Sequence, residues 1–204
     1  MRPVSRSLVP IALAAALGGC SLSGLLGGGG KPPVTLQTLT PEAPDPGAMT
    51  RSASAGQAVM IAVPVTPKEL KSTRVPVQIT PTDVQYVTNL QWVDTPDRLF
   101  QALISETVRR TTNRIVISPA QAALDPGLLV SGQLQRFGYD AATGQAVVEY
   151  DASTTTAGGS QVQTRRFIAS VPADGTATTV GPALNRAANQ VAREVAEWVG
   201  PASS

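Results

Sequence analysis

Three alternating segments in a row, followed by one segment of helical period, constrain this 204-residue chain most. Leu128–Phe137, Ala146–Thr156 and Gln161–Val171 each read as a strand. In the second, Val148, Tyr150 and Ala152 fall on one side, and Glu149, Asp151 and Ser153 on the other. In the third, Phe167, Ala169 and Val171 make the apolar side. The connections carry Gly144 and Gly158-Gly159, which suit hairpin turns, so the predicted arrangement is an antiparallel meander with one apolar face. The next segment can cover it. A helix is predicted from about Pro182 to Val199, closed by Gly200-Pro201, with Leu184, Ala187, Ala188, Val191, Val195, Trp198 and Val199 as its apolar stripe.

The earlier half supplies a second helix and shorter strands. Thr95-Pro96-Asp97 predicts a helix start: Thr95 can cap, Pro96 suits the first helical position and Asp97 faces the positive dipole end. That helix runs to about Thr112, with Phe100, Leu103, Ile104, Thr107 and Val108 on one stripe. Ala58–Val65 is continuously apolar until Pro64 ends it, the pattern of a strand covered on both faces. Val75–Ile79 and Asp83–Thr88 are short and extended, and Pro76 and Pro81 place them at sheet edges or in turns. Asn89–Trp92 reads as a short strand or turn, and Arg114–Ile117 as a short strand. Val34–Leu39 alternates weakly and fits a first strand or a loop equally well. The fold class these elements predict is α+β: a mixed, mostly antiparallel sheet with two amphipathic helices packed on one face. Ala187, Ala188 and Ala192 predict close helix packing rather than a cavity for a lipid. No period of the length that solenoids and propellers repeat is present.

The N-terminus sets compartment. Arg2 and Arg6 precede the apolar run Leu8–Leu17, and Gly18-Gly19 lead into Cys20, the single cysteine. The run is too short to span a bilayer, which takes about 20 apolar residues, and reads as a cleaved secretion signal. This order resembles a bacterial lipoprotein signal with its lipobox. The resemblance implies cleavage before Cys20, a diacylglyceryl thioether on its sulfur, and an acyl chain such as palmitate on the new amine. Ser21, rather than Asp, after the cysteine implies the outer membrane, facing the periplasm. Residues 21–57 are rich in Gly, Pro, Ser, Thr and Ala, with the linker Gly27–Gly30, and read as a tether. The expected organisation is signal 1–19, lipidated tether 20–57, α+β domain 58–200 and tail 201–204.

Composition removes several function classes. The chain has 16 Lys+Arg and 14 Asp+Glu; without Arg2 and Arg6 the basic count equals the acidic one. That is no footprint for nucleic acid. The doublets Arg109-Arg110 and Arg165-Arg166 read as solvated faces. Histidine is absent, and an acylated Cys20 leaves no free thiol, so a Ser-His-Asp triad, cysteine nucleophiles and the usual zinc ligands are not available. Among the carboxylates, Asp94 and Asp97 read as helix-start residues, Glu149 and Asp151 as one polar strand face, and Glu194 and Glu197 as one polar helix face. No catalytic, cofactor or metal residues are expected.

The order of parts has a familiar pattern. The strand Val59–Val63 is followed by Lys71-Ser-Thr-Arg74-Val-Pro76-Val-Gln-Ile79, and then by Tyr86-Val-Thr-Asn89-Leu-Gln-Trp92 entering the first helix. Over roughly Ala58–Val199 the chain resembles the ABC-type transport auxiliary lipoprotein family, which includes the outer-membrane partner of paraquat-inducible MCE systems. Val75 stands between Arg74 and Pro76, and Asn89 lies three before Trp92, a slight departure from the family spacing. The resemblance implies a role in lipid transport across the periplasm. An inner-membrane ABC transporter and an MCE-domain protein would form the conduit, and this lipoprotein, as a ring of protomers, would dock its far end at the outer membrane. Trp92 is expected to pack in the core and Arg74 to be solvated or paired. Other readings are a pilotin-like or outer-membrane assembly lipoprotein and, further off, a carboxylate-only cell-envelope hydrolase, which would need two carboxylates across a cleft.

Overall fold

The meander forms the spine of the molecule. A computed structural model describes residues 35–52, 56–118, 126–156, 159 and 161–200. The elements in chain order are β1 (Val59–Ile61), a single 3-10 turn (Lys68–Leu70), β2 (Arg74–Gln78), β3 (Val84–Gln91), α1 (Pro96–Thr111), β4 (Val116–Ile117), β5 (Leu128–Asp140), β6 (Gln145–Thr156), β7 (Val162–Pro172) and α2 (Ala177–Val199). β5 pairs with β6 along its whole length, and β6 with β7, all antiparallel. The tight turn between β5 and β6 ends at Gly144, whose φ of +68° suits glycine. On its other edge β5 is shared: its first residues pair parallel with β1 and its last with β2. β4 adds parallel to β1, and β3 antiparallel to β2. The result is the mixed, mostly antiparallel seven-stranded sheet that the sequence predicts.

Both helices lie on one face. Every residue of the predicted α1 stripe is buried, as are Leu184, Ala187, Ala188, Val191, Val195 and Val199 of α2, while Trp198 is partly buried against the same core. Ala187, Ala188 and Ala192 are fully buried, which lets α2 sit close to its neighbours. From the sheet, Leu134, Phe137, Val148, Tyr150, Phe167 and Ala169 meet them. The opposite face of the meander is polar: Arg166 Nε and Nη2 donate to Asp151 at 2.6 and 2.8 Å, and its Nη1 lies 3.2 Å from Glu149.

Four elements differ from expectation, each for a local reason. β1 covers only Val59–Ile61; Pro64 lacks an N–H, pairing with β5 resumes only as the single bridge Val65–Gln133, and Val63 and Val65 are exposed rather than covered. β2 is interior, not an edge, because Pro76 sits where the β2–β3 register shifts and no regular ladder bond is required of it. At α1, Thr95 occupies the capping position but makes no side-chain cap bond; instead its own N–H is held by Asp94 Oδ1 at 2.7 Å. α2 begins at Ala177, five residues before Pro182, which becomes an internal proline. A cluster at its entrance supplies the start: Asp174 Oδ1 accepts from Thr176 N (2.9 Å), from the Thr176 hydroxyl (2.6 Å) and from the Thr179 hydroxyl. Those hydroxyls, Thr176 first, pull the Asp174 carboxyl down to about 2.

Asn89 explains an irregular β3. Arg74 pairs with Gln91 and Pro76 with Tyr86, so β3 carries three extra residues over that step. Val87 and Leu90 are both buried although three apart, which strict alternation forbids. The chain manages this by turning left-handed at Asn89, φ +59°. Asparagine tolerates that region; most side chains pay about 1 kcal/mol or more there. Asn89→Ala should therefore lower stability by about 1 kcal/mol, whereas Asn89→Gly should be close to neutral, as urea unfolding would measure.

Candidate functional site

The segment that precedes β1 is fastened to the domain by specific bonds. Gln37 N donates to Gln91 O and Val93 N to Gln37 O, both at 2.8 Å, so Gln37 forms a one-residue parallel bridge at Trp92. The Gln37 side chain lies directly on Gly181 of α2, where any Cβ would collide with its amide. Next along the chain, Thr40 N donates to Asn185 Oδ1 and Glu42 N to Asn189 Oδ1, each at 2.8 Å. Asn189 Nδ2 returns bonds to Thr40 O (2.8 Å) and Asn185 O (2.9 Å). Arg110 Nη1 then donates to Ala43 O at 2.8 Å. Residues 37–43 thus form a strap across α2 and onto α1, in extended form and without a strand of their own beyond the bridge.

Residues 37–43, which the sequence reading counts within the tether 20–57, are hydrogen-bonded to α1, α2 and the end of β3. Asn185 and Asn189 stand one turn apart on a helix, and asparagine is a weak helix former. Their amides instead bond the backbone of the strap. Asn189 is 4 % exposed and holds both Thr40 O and Glu42 N, so its removal breaks the two bonds that fix the middle of the strap. Asn189→Ala should cost about 2–3 kcal/mol and expose the strap to limited proteolysis before the helices.

Trp92 lies beneath the bridge. It is 1 % exposed and meets Phe137 edge-on at 5.7 Å. Phe100 continues the series, 6.4 Å from Phe137 and 5.3 Å from Tyr150. The Tyr150 hydroxyl donates to Ser131 O at 3.1 Å, and burial pushes its pKa far above the ordinary tyrosine value. Trp92 is thus core packing, as the sequence predicts. Arg74 stacks over Tyr86 at 3.8 Å, the paired alternative.

The remaining sequence candidates are not brought together. Asp94 holds the start of α1, Glu149 and Asp151 share Arg166, and Glu194 accepts from Gln190 at 3.1 Å. Hydrogen bonding to Arg166 holds the Asp151 carboxyl below its usual range, with Gln135 adding to it, against the upward push of burial. Glu106, Asp140 and Asp174 are displaced downward too, opposite to a general acid. No group of three or more His, Cys, Asp or Glu that could hold a metal occurs among the described residues. Arg109, Arg165 and Arg166 are exposed, as the solvated reading of the doublets expects, and Arg110 departs from it. Arg110 is 19 % exposed in its side chain, held by Glu106 and the strap, and Arg165 stacks over Phe167 at 4.8 Å. Cys20 lies outside the described residues, as does the signal. No helix among the described residues is long and apolar enough to cross a membrane.

Comparison with known proteins matches this geometry. Protein XCC0632 from Xanthomonas campestris, assigned to the DUF330 family model, superposes with a TM-score of 0.66 at 18 % identity, covering 81 % of this chain and 94 % of its own. A second crystal structure, of an uncharacterized protein, gives 0.59 at 12 % identity, over 74 % and 97 %. These likenesses establish a shared fold. No curated protein matches the chain. The family model described as ABC-type transport auxiliary lipoprotein component matches residues 38–196, from within the strap to the last turn of α2. The strap, the mixed sheet and the paired helices are therefore one inherited unit, and the chain belongs to the ABC-type transport auxiliary lipoprotein family.

Proposed function

We propose that this protein is a lipid-anchored accessory of an ABC- and MCE-type lipid transport system, docking the transporter's conduit at the outer membrane from the periplasmic side. In this reading residues 1–19 direct export, Cys20 carries the lipid, the Gly- and Pro-rich stretch up to the strap is the tether, 38–200 is the working domain and 201–204 a tail. The domain acts as a ring of protomers by contact with the MCE-domain protein, and breaks no bonds. The observation that carries the reading is the family match through strap and domain, downstream of a lipobox. The ion-paired carboxylates support the non-enzymatic part.

The strap limits reach. From Cys20 to Gln37 a flexible linker would span about 20–25 Å, so the domain works close to its membrane. Density separation of inner and outer membranes tests the docking. The protein is expected to band with the outer membrane while the transporter's ATPase bands with the inner. Recovery wholly in the inner-membrane band would overturn outer-membrane docking.

A further inference from the structure

The C-terminal end of α1, the approach to β4 and the segment beyond the strap line an open cleft of about 380 Å³. Its walls carry four arginines, Arg51, Arg109, Arg110 and Arg114, against two carboxylates, Asp45 and Glu106. We propose that this cleft binds a phosphate-bearing anion.

The charge accounting carries the argument. Glu106 is shared by Arg109 (3.3 Å) and Arg110 (2.8 Å), and hydrogen bonding to Arg110 holds its carboxyl below the usual range. Asp45 Oδ1 accepts from Gly47 N at 2.9 Å. Arg51 and Arg114 form no ion pair with a described residue. Their guanidiniums are aimed by neutral carbonyls: Arg51 Nη1 reaches Arg114 O at 3.4 Å, Arg114 Nε reaches Gly200 O at 3.0 Å, and Arg114 Nη1 reaches Gln57 O at 3.5 Å. Carbonyls orient a guanidinium without neutralising it. The cleft is left with two more positive charges than negative, in a chain whose charges otherwise nearly balance. Arg114 is partly buried, and burial draws its pKa down, so its charged form carries a cost that a bound anion would relieve.

The chemistry narrows the ligand. Guanidinium forks from several directions suit the tetrahedral oxygens of a phosphate, and each presents five N–H donors. The cavity is of the size that holds a small ligand or headgroup. A single small cleft on a near-neutral protein does not track a nucleic-acid backbone. Arg51 lies beyond the strap and Arg109 and Arg114 on and after α1, so a bridging anion would fasten that segment to the helix. A lipid headgroup and a soluble phosphate share this chemistry.

Thermal unfolding of the full chain in neutral detergent tests it. One arm adds inorganic pyrophosphate against chloride of equal ionic strength; the other replaces phosphatidylcholine in the micelles by phosphatidylglycerol. Ligand that binds the folded state raises the midpoint. A rise with pyrophosphate alone assigns a soluble anion, a rise with phosphatidylglycerol alone assigns a headgroup, and a rise in both assigns the phosphate group itself. Among the described residues Arg51 makes polar contacts with Arg114 O and Met49 Sδ, so Arg51→Glu should fold normally and weaken the apparent affinity at least tenfold, while Arg51→Lys retains part of it. No rise in either arm, or an equal rise in Arg51→Glu, overturns the proposal.

Discussion

Cys20→Ala is expected to abolish acylation and to remove the protein from the outer membrane while its domain still folds. The thioether cannot form on alanine, and without it processing before residue 20 is lost, leaving an uncleaved or soluble product. Acyl chains contribute about 0.8 kcal/mol per buried methylene, and one chain alone gives only marginal binding, so in the proposed reading stable attachment would rest on the full set of chains at this residue. No described helix could substitute as a span. Among the described residues the core cluster starts at Val59, with Leu39 packed against it. Incorporation of labelled palmitate should fall to background, with circular dichroism of the product unchanged. Continued labelling, or unchanged fractionation, would place the anchor elsewhere.

Trp92→Ala should be the most damaging single change to the fold, at about 3–5 kcal/mol. Its ring is fully enclosed, forms the outer end of the series through Phe137 and Phe100 to Tyr150, and floors the bridge by which Gln37 joins the sheet. Alanine leaves a cavity under that bridge, and loses the edge-to-face contact besides. For a chain of this length the unfolding midpoint should fall by about 10 °C. Trp92→Phe, which keeps an aromatic ring against Phe137, should lose markedly less. A drop of under 1 kcal/mol for the alanine variant would mean that Trp92 is not the keystone described here.

Local pattern made much of this fold legible. The alternation in β6, the apolar side of β7 and the stripes of both helices reflect periods of two and 3.6, and a stretch of ten residues is enough to display them. What depended on distant partners was hidden. The strap looks like linker by composition, since its bonds go to Asn185 and Asn189, about 145 residues away. Two asparagines one turn apart, Asn189 buried beside the apolar stripe of the helix, were the available signal. The start of α2 was obscured because Thr178 and Thr179 show no apolar period, while Pro182 is a strong local punctuation mark. Pro76 suggested an edge, and only the register shift opposite Tyr86 allows it inside. The arginine cleft was invisible in the same way: Arg51 and Arg114 stand 63 residues apart, and the adjacent pair Arg109-Arg110 alone suggested nothing but solvent.

Co-purification after crosslinking in intact cells tests the central claim, that this folded module serves a transporter by contact. The account predicts that the wild-type protein brings with it an MCE-domain protein and subunits of an ABC transporter, and that the Cys20→Ala product brings far less. Repeated recovery of the crosslinked protein without either partner would contradict it.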